Sequence, residues 1–260
     1  MTQRKIALIT GGGRGIGRAI ALRLAADGHA VAVVSRSRGQ LDGVVSEIEA
    51  AGGSALALTC DVTHQEEVTR AVDAVQRQWG DISVLINNAG VSGPLGPVGV
   101  VDPAAWWAAQ AVHVLGSLLF MTAVLPRMAA AGGGRIINIC SVAGVIVANN
   151  FSSYAVAKST LIRLSEHVAA ERRDQNIQVF PIQPGTIMTD MARDTLTMPD
   201  AAKWAAPLVR MLQQVTPEQS QRAELKMQNF LSDLARGRFD PLSGRYLDVD
   251  QDPAALLAAV

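Results

Sequence analysis

The sequence predicts an α/β protein: a single-domain, doubly wound parallel sheet of about seven strands with helices on both faces. Three observations predict it. Apolar runs of five or six residues alternate with helical patterns of a dozen or so, the rhythm of strand–helix–strand units. A glycine-rich turn separates the first such strand from the first helix. Gly11, Ser35, Asp61, Asn88 and Ser141 each follow a strand end, so they share the rim at which such sheets bind ligands. With no internal repeat and no linker, residues 1–260 are expected to form one domain.

Taken in order, residues 5–10 read as a buried strand, followed by Gly11-Gly12-Gly13-Arg14-Gly15-Ile16-Gly17 and a helix over 18–28 with Ile20, Leu22 and Leu24 on one face. A glycine turn entering a helix lets backbone N–H groups approach a pyrophosphate, whose charge the helix N-terminus favours. Residues 30–34 form the second strand, and Ser35-Arg36-Ser37-Arg38 follow its end. An acidic residue there would hold the ribose hydroxyl of NAD, whereas an arginine accommodates the phosphate of NADP. None of the four is acidic, and Arg14 offers a second cation, so NADP(H) is the preferred cofactor, with NAD(H) the other option.

A helix over 41–51 ends at Gly52-Gly53, a third strand spans 55–60 before Asp61-Val62, and a helix over 66–79 ends at Gly80. The fourth strand, 82–86, leads into Asn87-Asn88-Ala89-Gly90. A long apolar helix is expected over 106–128, a strand over 136–140, a helix over 151–171 and a strand over 178–182, closed by Pro184-Gly185. Residues 186–199 read as irregular. They carry Met188, Met191 and Met198, and a lid over about 186–215 or a plain surface loop are both open. A helix over 217–235, a last strand over 244–249 and an alanine-rich tail over 251–260 complete the chain.

Lys+Arg and Asp+Glu are both 23, so no net field attracts nucleic acid or an anionic membrane. No signal peptide is expected, since Met1-Thr2-Gln3-Arg4-Lys5 runs straight into a strand. The uncharged window 103–126 contains Gln110, His113, Gly116, Ser117 and Thr122, which is polar for a membrane span; a buried or subunit-interface helix fits better. Cys60 and Cys140 are expected reduced and buried, which fits a cytoplasmic chain. No metal site is expected.

The chemistry centres on Ser141, Tyr154 and Lys158. Tyr154 and Lys158 are four apart, on one face of a helix. Ser141 ends the preceding strand, and the small-residue loop between them is long enough to bring its hydroxyl beside the phenol. A free tyrosine titrates near ~10 and exchanges protons poorly at neutral pH. A neighbouring ammonium pulls that value down. A serine hydroxyl then holds a carbonyl oxygen while tyrosine gives or takes the proton.

These motifs, in this order, resemble the short-chain dehydrogenase/reductase family. The resemblance runs from Lys5 to about Val249 and rests on Thr10-Gly11-x-x-x-Gly15-x-Gly17, Asp61-Val62, Asn87-Asn88-Ala89-Gly90, Ser141, Tyr154-x-x-x-Lys158 and Pro184-Gly185-Thr186-Ile187-Met188-Thr189. It implies a Rossmann-type fold with Tyr154 as general acid in reduction and base in oxidation, and Ser141 orienting the substrate oxygen. Lys158 would bind the nicotinamide ribose and lower the tyrosine pKa. Ile16 and the glycines would take the pyrophosphate, and Asp61 and Val62 the adenine. Asn88, Ala89 and Gly90 would pack along the adenosine ribose, with Pro184 and Gly185 beside the cofactor and Ile187 and Thr189 fixing the carboxamide. The family usually has asparagine where Val112-His113-Val114-Leu115-Gly116 places His113, so His113 either holds a water and passes protons or makes only a structural bond. Residues 195–238 are longer than usual, so the resemblance does not carry over a substrate.

The expected function is an NADP-dependent oxidoreductase of a carbonyl or secondary alcohol, acting as a homodimer or homotetramer built on uncharged faces within 106–125 and 151–164. A 3-oxoacyl thioester reductase is the alternative, with Arg127, Arg172 and Arg173 meeting an acidic carrier protein. A non-catalytic NADP-binding regulator would be expected to lose Tyr154 or Lys158, and both are present.

Overall fold

The computed structural model describes residues 5–258. The leaderless start expected at 1–4 and the last two residues of the expected tail lie outside the described residues.

Seven strands form one parallel sheet in the order β3-β2-β1-β4-β5-β6-β7. They are β1 (Ile6–Thr10), β2 (Ala30–Ser35), β3 (Ser54–Thr59), β4 (Val84–Asn87), β5 (Gly134–Ile139), β6 (Ile177–Gln183) and β7 (Leu247–Asp248). β1 is central, with Ile9 paired to Val33 of β2 on one side and to Ile86 of β4 on the other. The chain reverses its direction of winding at this pair, which opens a crevice at the carboxyl ends of β1 and β4.

Alternate residues of each strand feed two cores. Ala7, Ile9, Val31, Val33 and Phe180 face one layer, made by α1 (Gly15–Ala26), α2 (Arg38–Ala50) and α10 (Pro217–Arg236). Ile6, Leu8, Ala32 and Val179 face the other, made by α3 (Gln65–Trp79), α5 (Gly116–Ala130) and α6 (Ser152–Glu171). Burial on both faces is why the strands read as unbroken apolar runs. A polar ladder crosses the second layer: Asn87 Nδ2 donates to Asn138 Oδ1 at 2.8 Å, and Asn138 Nδ2 donates to Ser165 Oγ at 2.8 Å. It ties β4, β5 and α6 together just beneath the rim.

The long apolar helix departs from expectation in its middle. Asp102 caps α4 (Pro103–Gln110), accepting from the N–H groups of Ala104 and Ala105. A π-helical turn, Ala111–Leu115, then widens the helix before α5 begins. By length and composition the whole could cross a membrane, but Phe120, Met121, Val124 and Met128 pack into the core.

The stretch 186–199 is not irregular throughout. Thr189 accepts from Ala192 N–H and starts α7 (Asp190–Thr197); α8 (Ala201–Trp204) and α9 (Ala206–Gln213) follow. The cap stands one residue before the helix, a signal that the Gly and Pro on either side obscured. α10 opens with a capping box between Thr216 and Gln219, which fixes its start where the sequence placed it. The last strand is shorter than expected, because only Leu247 and Asp248 pair with β6. The tail carries α11 (Pro253–Ala258).

Candidate active site

β1 and α1 meet at the glycine turn. Gly11 adopts φ +63°, a left-handed conformation that glycine takes without strain. A side chain on Gly17 would collide with the carbonyl oxygen of Gly11, so only glycine lets α1 close onto the turn. Asn88 braces this turn from β4: its Nδ2 donates to the carbonyls of Thr10 at 2.9 Å and Gly11 at 3.2 Å. The Thr10 hydroxyl accepts from the N–H groups of Asn88 and Ala89 at 2.9 and 3.0 Å. The Asn88 side chain is therefore engaged with the turn.

A cavity of about 700 Å³ runs along this rim, a size ordinary for a cofactor or substrate cleft. The structure brings Gly11, Arg14, Gly15, Ile16, Ser35, Arg36, Asp61, Val62, Asn88, Ala89, Gly90, His113, Tyr154, Lys158, Pro184 and Thr189 to its wall. Gly17, Ser141, Gly185 and Ile187 are not among the lining residues; Ile187 is buried in the first core. Lining residues without a sequence signal include Gln40 in the first turn of α2 and Val112 in the π turn, while Val91 follows Gly90 directly; Met191 of α7, one of the three methionines read as a candidate lid, also lines the cavity. A dinucleotide fits these features: the bare N-terminus of α1, the side-chain-free turn and basic residues beyond β2 suit phosphates.

At the β2 end, Arg36 is exposed and its Nη1 lies 3.9 Å from Asp61 Oδ2. Burial would raise the Asp61 pKa, but hydrogen bonds from Thr63 N–H and hydroxyl, with Arg36 and His64, hold it below its ordinary value. Arg14 Nη1 lies 3.6 Å from Asp190 at the start of α7. The segment from α7 to α8 is tied to the neighbouring loops: Ser92 and Thr195 hydroxyls are 2.9 Å apart, and Asn150 Nδ2 donates to Trp204 O at 2.8 Å.

At the other end, Ser141 is near enough to Tyr154 for its hydroxyl to act to lower the phenol's pKa. Lys158 is buried, and its Nζ donates to Ile139 O at 2.7 Å. The ammonium stands 5.5 Å from the Tyr154 ring centroid. Burial pushes Tyr154 up to about 12, outweighing the lowering by Ser141. Burial likewise takes Lys158 down to about 8. Both shifts arise from burial, with the ammonium bonded to Ile139 O and the phenol partly covered at the cavity wall. Cys140 is free and buried beside them, its thiol pushed up to about 12 by burial. Among the described residues no group of three His, Cys, Asp or Glu side chains could hold a metal ion.

His113 sits in the π turn, buried, with Nε2 2.8 Å from Val91 O. Its ring meets Tyr154 edge-on at 5.4 Å between centroids. Burial, with Lys158 nearby, brings its pKa down to about 3. Arg127, Arg172 and Arg173 are elsewhere. They lie at the C-terminal ends of α5 and α6, on the rim where strands begin, and Arg127 is bonded to Asp81 and Gln76.

A family model described as short chain dehydrogenase matches residues 5–200. The 7alpha-hydroxysteroid dehydrogenase of Escherichia coli strain K12 is 35% identical over 193 residues, covering 74% of this chain and 75% of its own length. An actinorhodin polyketide ketoreductase variant solved with NADPH superposes with a TM-score of 0.86 at 26% identity, covering 96% of this chain and 97% of that one. An NAD+-bound xylitol dehydrogenase superposes with a TM-score of 0.81 at 27% identity, covering 95% and 98%.

Proposed function

The chain belongs to the short-chain dehydrogenase family and is an NAD(P)-dependent oxidoreductase; on that premise we propose that it is NADP-dependent and reduces a carbonyl compound to a secondary alcohol with Tyr154 as the acid. The observation that carries the mechanism is Tyr154 on the cavity wall with the buried Lys158 ammonium 5.5 Å from its ring centroid. A bound nicotinamide dinucleotide supplies the hydride. The chain's residues do the rest. Ser141 holds the carbonyl oxygen, and Tyr154, protonated at neutral pH, donates to that oxygen as charge develops. The phenolate that remains faces the Lys158 ammonium, still charged below about 8.

The turn from Gly11 to Gly17 takes the pyrophosphate, and Arg36 with Arg14 favours the additional phosphate of NADP. Asp61 and Val62 border the adenine, and Thr189 and the backbone of Ile187 flank the carboxamide. Asn88 supports this cradle by bracing the turn, with Ala89 and Gly90 along the ribose.

A neutral carbonyl substrate is favoured over an acyl thioester on an acidic carrier. The loops leaving β4 and β5, residues 88–101 and 140–151, carry no charged side chain. Within one chain, Arg127, Arg172 and Arg173 stand on the opposite rim. Assembly as a homodimer or homotetramer is supported by exposed Trp107, Leu115 and Leu118 on α4–α5 and Val156 on α6. Two unpaired cysteines accord with a cytoplasmic setting. The test is NADPH oxidation with neutral ketones, 3-oxoacyl thioesters and acids in parallel; selective turnover of a thioester would favour the second reading. A monomer mass by light scattering at micromolar concentration would refute the assembly.

A further inference from the structure

Two loops frame the catalytic end of the cavity. One leaves the wall at Val91, after β4, and the chain is back on the wall at Val112. The other leaves at Cys140, after β5, and returns at Tyr154. Gly96 N–H donates to Asn150 O at 2.8 Å, which joins the two loops. The bonds from Asn150 to Trp204 and between Ser92 and Thr195 fasten α7 and α8 to the same pair. The loops and helices therefore form one continuous rim.

What this rim exposes is apolar. Val98 and Val100 stand on the first loop, and Val145, Ile146 and Val147 run consecutively along the second. Val98 and Val147 are 81% and 89% exposed, so the fold gains almost nothing from their burial. Exposed apolar residues scattered singly are ordinary. A run of three, on a loop bonded to one that carries two more, is a patch, and such patches mark a surface that another molecule covers. None of the five lies on the α4–α6 faces that support assembly.

The extent of the cavity says what covers them. Its wall runs from Ser35 and Arg36 beyond β2 to Tyr154 and Lys158 on α6. A nicotinamide dinucleotide takes up that length. A carbonyl held at Tyr154 then has Val91, Cys140 and Met191 on the surrounding wall, and beyond them only the rim. Charge points the same way. Neither loop, over 88–101 and 140–151, carries a charged side chain, so an ionic group laid there would lose hydration and gain no partner. Asp190, the charged residue of α7 on the cavity wall, is already engaged by Arg14 and Arg193.

We propose that the substrate is a neutral ketone with an extended apolar body, whose carbonyl sits at Tyr154 and whose body leaves the cavity to cover Val145, Ile146 and Val147 on one loop and Val98 and Val100 on the other. This rests on the reading of Tyr154 as the acid that acts on a carbonyl. Each methylene laid on the rim is removed from water, so binding strengthens with the length of the body until the rim is covered. Specificity then lies in side chains that touch neither the cofactor nor the reacting carbon.

The test is kcat/KM for NADPH oxidation with methyl ketones of increasing straight-chain length, each below its solubility limit. The wild type is expected to gain about 2- to 4-fold per methylene, the scale of burying a CH2 group, and then to level off. A chain that ends in a carboxylate is expected to lose that gain. In the combined variant Val145→Ser, Ile146→Ser, Val147→Ser the longest ketone is expected to lose about 10-fold or more relative to the shortest. All three side chains are exposed, so the substitutions leave the core intact. Short ketones turned over with no gain along the series would overturn the proposal and leave the reading of the site standing. An unchanged gain in the folded variant would also overturn it, and a fall in that variant's mass by light scattering would then assign the patch to a second copy of the chain. If the variant does not fold, the wild-type series alone decides. No turnover of any ketone, short or long, by a wild type that binds NADPH would sink the reading of the site, and the proposal with it.

Discussion

Phe151 lies flat against Tyr154, with ring centroids 4.7 Å apart and planes 8° from parallel. Phe151 is the residue before α6, so the helix start and the phenol are positioned by one contact. His113 meets the same ring edge-on at 5.4 Å. The Tyr154 ring is thus held by two aromatic neighbours. Such stacking contributes about 0.5–1.5 kcal/mol beyond burial. Phe151→Ala is expected to lower kcat about 2- to 10-fold, in proportion to that energy, with NADPH affinity unchanged. Steady-state kinetics with unaltered kcat would show that the stack does not position Tyr154.

Arg36 has only a loose, exposed contact with Asp61, at 3.9 Å, which holds it weakly and leaves it free for a phosphate. Arg36→Asp is expected to shift the ratio of NADPH to NADH affinities toward NADH by about 10-fold or more, the scale of a charge-assisted bond. Fluorescence titration with both cofactors measures this. An unchanged ratio would remove Arg36 from phosphate recognition.

Acid is expected to weaken the fold through His113. Its folded pKa, about 3, lies below the ~6.5 of an unfolded histidine, so the unfolded chain binds more protons between these values. Stability therefore rises with pH across that window and is lost as pH falls from about 6.5. Asp27 adds a loss of the same sign below about 3.9. Its pKa is lowered because Ser232, Arg23 and Arg236 together outweigh burial, which alone would raise it. Urea melts from pH 7 to 4.5 are expected to show a shallower decline for His113→Asn than for the wild type. Parallel declines would contradict a neutral buried imidazole.

Asn138 joins Asn87 of β4 to Ser165 of α6 inside the core. Asn138→Ala is expected to cost about 1–3 kcal/mol, because it leaves the Asn87 amide buried without its partner. Chemical denaturation reads this directly, and a change below about 0.5 kcal/mol, the range of ordinary surface substitutions, would make the ladder incidental.

The doubly wound parallel sheet and the shared rim were legible because strand–helix alternation admits few topologies, and Gly11, Ser35, Asp61 and Ser141 each announced a strand end. What escaped was set by packing rather than pattern. The π turn at Ala111–Leu115 has no signature in an apolar run. Gln40 reaches the cavity through a turn whose direction the sequence does not state. The Tyr154 pKa depends on how dry the site is, which composition does not show. Asn88 was placed correctly, but its amide serves the glycine turn.

The most direct test of the central claim is NADPH oxidation at neutral pH with a panel of neutral ketones, comparing wild type with Tyr154→Phe at equal NADPH occupancy. The account predicts turnover by the wild type on at least one ketone and a loss of kcat of about 100-fold or more in the variant, as for removal of a general acid. Turnover retained by a folded Tyr154→Phe protein would contradict it.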